Sequence, residues 1–149
     1  MYFIDRNQIN ATLSYMEKII DLFEQRTDWT TDPIKELALE RMAHTVIESI
    51  IDVGNSMIDG FIMRDPGSYD DIIDIMEDEK VITSEMASPL KKVLSLRKSV
   101  VREFTKVDSE ELESVLYENR DELKAFPDKV RHYLEYELGP VSAFMPSGE

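Results

Sequence analysis

The residues with the clearest chemical potential lie in one short basic stretch, "LRKSVVREFTK", at positions 96–106. On a regular helical wheel, Arg97 falls near the centre of an apolar face, whereas Arg102 falls on the opposite, polar side. The apolar face consists of Leu90, Val93, Leu94, Val100, Val101 and Phe104. Moving a guanidinium away from water costs several kcal/mol unless it is paired. Arg97 therefore needs a carboxylate partner or an anion bound in a cleft.

The sequence leaves two interpretations of Arg97 open. In the structural one, Arg97 forms an ion pair with Glu48 or Asp52 of a preceding long helix. In the functional one, its planar guanidinium binds phosphate oxygens. Positions 97 and 102 lie about 140° apart around a regular helix, so one chain does not easily direct both at one phosphate. A cleft shared across a two-fold interface would solve this problem.

Other patterns point to chemistry less specifically. His44, Glu48 and Asp52 are spaced one turn apart and could form half of a metal or acid–base site, but a partly exposed helix strip explains them equally well. The acidic residues between positions 70 and 79 are expected to form a solvated helix face. The absence of cysteine excludes thiolate chemistry, and the scattered glycines form no phosphate-binding loop. We therefore predict neither a metal nor a cofactor.

The charge distribution is uneven along the 149 residues. The formal net charge of −14 argues against a polyanion as a general ligand, yet residues 90–106 carry six basic residues and one acid. This basic island pairs either with the acidic faces of the protein itself or with a partner. The N-terminus lacks the pattern of an export signal, and acids interrupt the most apolar stretch. We expect a cytoplasmic protein that does not span a membrane.

The helical periodicity predicts an all-α, up-and-down bundle of about five helices. Helix starts are predicted at Asp5, Asp32, Ser68 and Asp108, and a further helix that begins between 83 and 89 contains the basic stretch. The second helix, ending near position 63, is expected to be central, with Gly54 at a close helix crossing. Pro127 is expected to interrupt the fifth helix. Residues 1–138 are predicted to form one domain, and 139–149 a flexible tail.

Three segments in fixed order carry a family resemblance: "ALERMAHTVIESIIDVGNSM", "DPGSYDDIIDIMEDEKVI" and "LRKSVVREFTKVD". With them, residues 5–108 resemble the HepT-like branch of the HEPN superfamily. The resemblance implies a helical homodimer that cuts RNA without metal and acts as a toxin beside a nucleotidyltransferase antitoxin. Its signature is an arginine, four residues, a histidine, one residue and a tyrosine. Arg97 matches the arginine, but Arg102 and Phe104 replace the histidine and the tyrosine.

Both replacements alter the implied chemistry. Arginine stays charged and cannot exchange protons near neutral pH, so acid–base cleavage through position 102 is not expected. Phe104 lacks the hydroxyl that the antitoxin would adenylylate, and we expect it in the core. The sequence thus predicts an impaired ribonuclease with Arg97 and Arg102 as its catalytic pair, supported by Glu48 and Asp52, with Lys98 and Lys106 as further phosphate contacts. The alternative is a non-catalytic dimeric module that binds the antitoxin or another protein.

Overall fold

Helices alone make up the regular structure of residues 4–139, which are the residues described by the computed structural model. The α-helices in this range are α1 (Arg6–Glu24), α2 (Pro33–Gly60), α3 (Tyr69–Asp78), α4 (Ser84–Leu94), α5 (Ser109–Glu118) and α6 (Arg120–Leu138). A π-turn (Lys98–Arg102) and a 3-10 turn (Phe104–Lys106) connect α4 to α5. The all-α prediction is confirmed, with six α-helices in these residues instead of five. Of the predicted tail, residues 140–149 lie outside the described residues.

Four helix starts follow the capping pattern read from the sequence. In each, the side chain before the helix accepts a hydrogen bond from a backbone N–H three residues later, which satisfies a donor that the helix leaves unpaired. The pairs are Asp5 with Gln8, Asp32 with Lys35, Ser68 with Asp71, and Asp108 with Glu111. The predicted starts of α1, α2, α3 and α5 are therefore confirmed.

Helix α2 is the central element, as predicted. It packs against α1, α3, α5 and the π-turn. Leu39, Ile47 and Ile50 of this helix are completely buried. A Cβ atom added at Gly54 would overlap Cγ2 of Ile72 in α3, which confirms that Gly54 marks a close helix crossing.

The predicted interruption at Pro127 is wrong, because α6 continues through this residue. The chain breaks earlier, at Asn119, where the side-chain amide donates a hydrogen bond of 2.8 Å to the carbonyl of Val115. This bond satisfies a carbonyl at the end of α5, since the last carbonyls of a helix lack intrahelical partners. Pro127 itself is buried within the bundle.

The prediction that one regular helix carries the whole basic stretch is also wrong. Helix α4 ends at Leu94, and the hydroxyl of Ser95 donates to the carbonyl of Lys92 at 2.6 Å. Such local side-chain bonds compete with the helical ladder. The backbone then forms a wider turn, in which the N–H of Glu103 donates to the carbonyl of Lys98, five residues earlier. This is the hydrogen bond that defines a π-helix.

Because α4 ends at Leu94, the apolar residues predicted to form one face around Arg97 do not lie on one continuous surface. Leu90, Val93 and Leu94 are buried in the core of the monomer. Phe104, on the 3-10 turn, is 65% exposed, so its predicted place in the core is wrong. The part of this face that lies on α4 is consequently not available as a subunit interface.

Candidate functional site

Arg97 forms the interhelical ion pair that the structural interpretation requires. Its Nε donates to Oε1 of Glu48 at 3.0 Å, and about a quarter of the Arg97 side chain is exposed. The packing of α2 against the π-turn positions these two residues. Asp52, one turn further along α2, is exposed and lines a separate cavity of about 240 Å³ together with Gln8 and Thr12. Of the two predicted carboxylates, Glu48 alone pairs with Arg97 within residues 4–139.

A second contact fixes the plane of the Arg97 guanidinium. Its central carbon lies 4.7 Å from the ring centroid of Tyr69, at the start of α3, in a cation–π arrangement. Within residues 4–139, neither Nη atom of Arg97 donates a hydrogen bond to a protein group. The guanidinium is thus held by Glu48 and Tyr69 while its two terminal nitrogens remain available to a ligand.

Arg97 lines an open cleft of about 660 Å³, which we call the arginine cleft. Its lining comes from the start of α3, the end of α4 and the π-turn. The lining residues are Ser68, Tyr69, Asp70, Leu94, Ser95, Arg97, Lys98 and Arg102. Three cationic side chains and one carboxylate therefore meet around this cleft.

The π-turn explains why one chain brings Arg97 and Arg102 to the same cleft. On a regular α-helix they would be about 140° apart. In a π-turn, each hydrogen-bonded ring spans five residues, so residues that are five apart return to nearly the same side. The regular helix assumed for the 140° separation is therefore wrong. The expectation that one chain does not easily direct both arginines at one phosphate stays a prediction.

The two predicted lysines occupy different places. Lys98 lines the arginine cleft, and its Nζ lies 3.8 Å from Oε2 of Glu103. Lys106 is exposed on the 3-10 turn and is not part of the cleft lining. Lys91, earlier in the basic island, pairs with Asp74 of α3 at 2.6 Å. Part of the island is thus neutralised by an acidic face of the protein itself.

The acidic helix α3 is neutralised at a second point. Arg64 forms two hydrogen bonds of 2.8 Å with the carboxylate of Asp71. The Arg64 guanidinium and, after it, the backbone N–H of Gly67 lower the pKa of Asp71 to about 2. In residues 4–139, no group of three His, Cys, Asp or Glu side chains is arranged to hold a metal ion.

Two residues near Arg97 were not assigned to the predicted arginine site, although His44 was considered with Glu48 and Asp52 as half of a metal or acid–base site. Nε2 of His44 lies 3.3 Å from Oε1 of Glu48, the same oxygen that accepts from Arg97. The spacing of His44 and Glu48, one helical turn apart, was the available signal. Tyr69 gave no comparable signal, because nothing in its local sequence indicates an arginine that is 28 positions away.

Comparisons with known proteins agree with this architecture. The model of the family "Ribonuclease HepT-like" matches residues 12–130. A Bacillus subtilis protein named "Putative RNase YutE" is 52% identical over 144 residues, which cover 97% of this chain and 99% of YutE. A solved structure of YutE, described as a cytosolic protein of unknown function, superposes with a TM-score of 0.93 over 97% of this chain and 100% of that chain.

More distant structures share the fold. A tri-AMPylated HEPN toxin from Shewanella oneidensis, solved in complex with MNT antitoxin, is 18% identical with a TM-score of 0.70. That comparison covers 84% of this chain and 95% of the toxin chain. A toxin–antitoxin structure with AMP-PNP gives a TM-score of 0.67 at 18% identity, over 83% of this chain and 95% of that chain.

Over residues 4–139, no helix has both the length and the apolar character needed to cross a membrane.

Proposed function

The chain belongs to the HepT-like ribonuclease family, and from this premise we propose that its arginine cleft binds RNA phosphate and supports slow, metal-independent cleavage. Arg97 and Arg102 are the proposed phosphate-binding pair, and Lys98 supports them. Lys106, outside the cleft lining, contributes at most a longer-range attraction to RNA. Glu48 orients Arg97, whereas the exposed Asp52 has no role at this cleft.

The observation that carries the proposal is the incomplete pairing of Arg97. An arginine whose only role is structural is expected to use its terminal nitrogens within the protein, because they are strong donors in a fixed fork. Arg97 uses Nε alone, and it lines an open cleft together with Arg102. A phosphate group has the charge and the oxygen geometry that this arrangement fits.

The proposed activity is slow because of the residue at position 102. The side chain there is an exposed arginine, which stabilises negative charge but does not transfer a proton near neutral pH. Cleavage through Arg102 as a general acid or base is therefore not part of the proposal. The absence of a general acid or base at position 102 removes a contribution to the cleavage rate that is typically 10²–10⁴-fold.

The proposal includes a homodimer. Ile34 and Leu37 lie on one face of α2 near its start and are 79% and 64% exposed. Phe104 adds a third large apolar side chain exposed to solvent. Water-exposed apolar side chains on neighbouring turns favour burial against another surface. The proposed place of action is the cytoplasm, in keeping with the description of YutE as cytosolic.

A second candidate function is binding of a nucleotidyltransferase antitoxin without chemistry. It is favoured by the structural neighbours, which were solved as toxin–antitoxin complexes. In such a complex Phe104 could not be adenylylated, because it has no hydroxyl. A partner would then have to act by covering a surface and not by modifying residue 104.

The first test measures RNA binding and cleavage by the purified protein in the presence of EDTA. We expect binding of a labelled single-stranded oligoribonucleotide to weaken steeply as salt rises, since phosphate contacts release counterions. Arg97→Ala and Arg102→Ala should each weaken binding and reduce the salt dependence. Light scattering during size-exclusion chromatography measures the oligomeric state and is expected to give the mass of a dimer.

Three results would contradict parts of the proposal. Binding that is unchanged in both arginine variants would exclude the arginine cleft as the RNA site. A stable complex with an antitoxin, formed equally by wild type and both variants in the absence of RNA binding, would favour the second candidate. A monomeric mass at micromolar concentration would exclude the dimer.

A further inference from the structure

We propose that His44, which lies outside the lining of the arginine cleft but contacts the Glu48 carboxylate that pairs with Arg97, is the proton acceptor for RNA cleavage at this cleft. This inference rests on the proposed function and names a group that supplies part of the acid–base catalysis missing at position 102. It depends on three observations: the shared carboxylate of Glu48, the open side of the imidazole, and the available terminal nitrogens of Arg97.

The shared carboxylate places the imidazole close to the phosphate-binding arginine. Oxygen Oε1 of Glu48 lies 3.3 Å from Nε2 of His44 and 3.0 Å from Nε of Arg97. The distance between Nε2 of His44 and Nε of Arg97 is therefore no larger than the sum of these two distances. A phosphodiester held by the Nη atoms of Arg97 would extend past that guanidinium, and its ribose would come within reach of His44.

The imidazole has a ring nitrogen open to a substrate. Nε2 of His44 lies 3.3 Å from Oε1 of Glu48, which is an ion-pair distance and, within residues 4–139, not a hydrogen bond. In our proposal the neutral ring carries its proton on Nε2, so Nδ1 has the free lone pair, and no protein group in these residues donates a hydrogen bond to it. The side chain of His44 is 37% exposed, so a substrate can approach it.

The charged groups around His44 come from two elements. On α2, Glu40 and Arg41 lie one turn before His44 and Glu48 lies one turn after it. From the segment after α4, Arg97 acts through Glu48. Helices α1, α3 and α5 also pack against α2, but in residues 4–139 none of them forms an ion pair with His44.

The proposed step is an internal transfer at one phosphate. The ribose 2′-oxygen forms a bond to the adjacent phosphorus, and its proton moves to Nδ1 of His44. The bond from phosphorus to the 5′-oxygen of the next nucleotide breaks, and that oxygen takes a proton from water. The products are a 2′,3′-cyclic phosphate and a 5′-hydroxyl, and His44 returns its proton to solvent. Arg97 and Arg102 stabilise the charge on the phosphorane oxygens.

The test compares His44→Gln and His44→Ala with wild type, on a fluorescently labelled single-stranded oligoribonucleotide of mixed sequence with EDTA present. The matched control is His132→Gln, the same change at the other histidine, which lines a separate groove beside Tyr136. Thermal unfolding of each variant checks that the fold is kept. The same oligonucleotide carrying 2′-deoxyribose at the cleaved position should resist cleavage.

We expect both His44 variants to lower the cleavage rate by at least about 100-fold while RNA binding is kept. His132→Gln should keep the cleavage rate of wild type.

Each contrary result has a distinct meaning. If Arg97→Ala abolishes cleavage but His44→Gln cleaves as wild type does, this inference is wrong and the proposed function stands. If wild type binds RNA through Arg97 but never cleaves it, this inference and the cleavage part of the function are both wrong. Cleavage that persists equally in the Arg97 and His44 variants identifies a contaminating nuclease and overturns both.

Discussion

Two interhelical arginine–glutamate pairs in this bundle use their guanidinium groups differently. At the seam between α1 and α6, Arg131 donates from all three of its nitrogen positions. Glu17 accepts two of these bonds, at 3.0 Å and 2.9 Å. In the arginine cleft, Arg97 gives Glu48 one bond, from Nε, and keeps both Nη atoms available.

We propose that this difference separates an arginine that joins helices from one that binds a ligand. Glu17 raises the pKa of Arg131 by accepting its hydrogen bonds, and Ser14 and Asn10 complete the set of acceptors. At Arg97, the additional contact is the face of Tyr69, which fixes the plane of the guanidinium without using any of its N–H groups. In this proposal, the number of donors used within the protein distinguishes the two roles, because both arginines form an ion pair.

The largest expected effect concerns Arg97, the arginine to which we assign ligand binding. Arg97→Ala should lower RNA cleavage by about 100-fold, because it removes a donor to the charge that develops in the transition state. Its effect on stability should be small, since the pair with Glu48 is partly exposed. Single-turnover kinetics and urea unfolding measure the two effects. A large loss of stability with unchanged cleavage would give Arg97 the role that we assign to Arg131.

The next effect concerns the second arginine of the cleft. Arg102→Ala should weaken RNA binding by about tenfold and lower the slope of log affinity against log salt by about one, as expected for one lost phosphate contact. Fluorescence anisotropy across a salt series measures both quantities. Lys106→Ala is the control, since Lys106 is exposed but lies outside the cleft lining. An equal effect from both variants would indicate a diffuse basic surface in place of a defined cleft.

For Arg131, the arginine that joins α1 and α6, we expect substitution to change stability alone. Arg131→Ala should lower the free energy of unfolding by about 1 kcal/mol, because charged hydrogen bonds are lost at a seam that is partly exposed. RNA binding should stay as in wild type. Urea unfolding and anisotropy measure the two properties. Weakened RNA binding in a folded Arg131 variant would show that the distinction between the two arginines is wrong.

The smallest effect appears in acid and concerns Asp71, on the helix that begins with Tyr69. The pKa of Asp71 in the folded protein is about 2, below the usual value near 4 for an unfolded chain. Its contribution to stability is therefore complete above about pH 4 and is lost as pH falls through about 2. Asp71→Asn should make the decline of melting temperature between pH 4 and 2 shallower. An identical decline in both proteins would show that Asp71 makes no such contribution.

The sequence predicted most of the bundle because its signals are local. Capping residues such as Asp5 and Ser68 satisfy donors only three residues away, and the buried face of α2 follows the helical period. The break at Asn119 was missed because a proline in the same region gave a stronger local signal than an asparagine. A buried proline inside α6 shows that tertiary packing can override such a signal.

The candidate site was only partly predictable. Glu48 was among the proposed partners of Arg97, because a guanidinium on a core-facing position requires a carboxylate or another partner. The shared cleft of Arg97 and Arg102 was not predicted, since its geometry comes from an i→i+5 hydrogen bond that no residue type indicates. Tyr69 was missed because its contact with Arg97 depends on how α3 packs against the end of α4.

The wide turn at residues 98–102 links the number of residues between Arg97 and Arg102 to the type of backbone turn that joins them. Removal of one residue between Arg97 and Arg102 would let the backbone return to ordinary i→i+4 bonding and would leave the two arginines four positions apart, about 40° around a regular helix. Both would then stay on the same side, as residues one helical turn apart do. The extra residue of the turn therefore makes a five-position spacing equivalent to a four-position spacing on a regular helix, and an aligned gap in this segment of a related chain is compatible with the same pair of arginines.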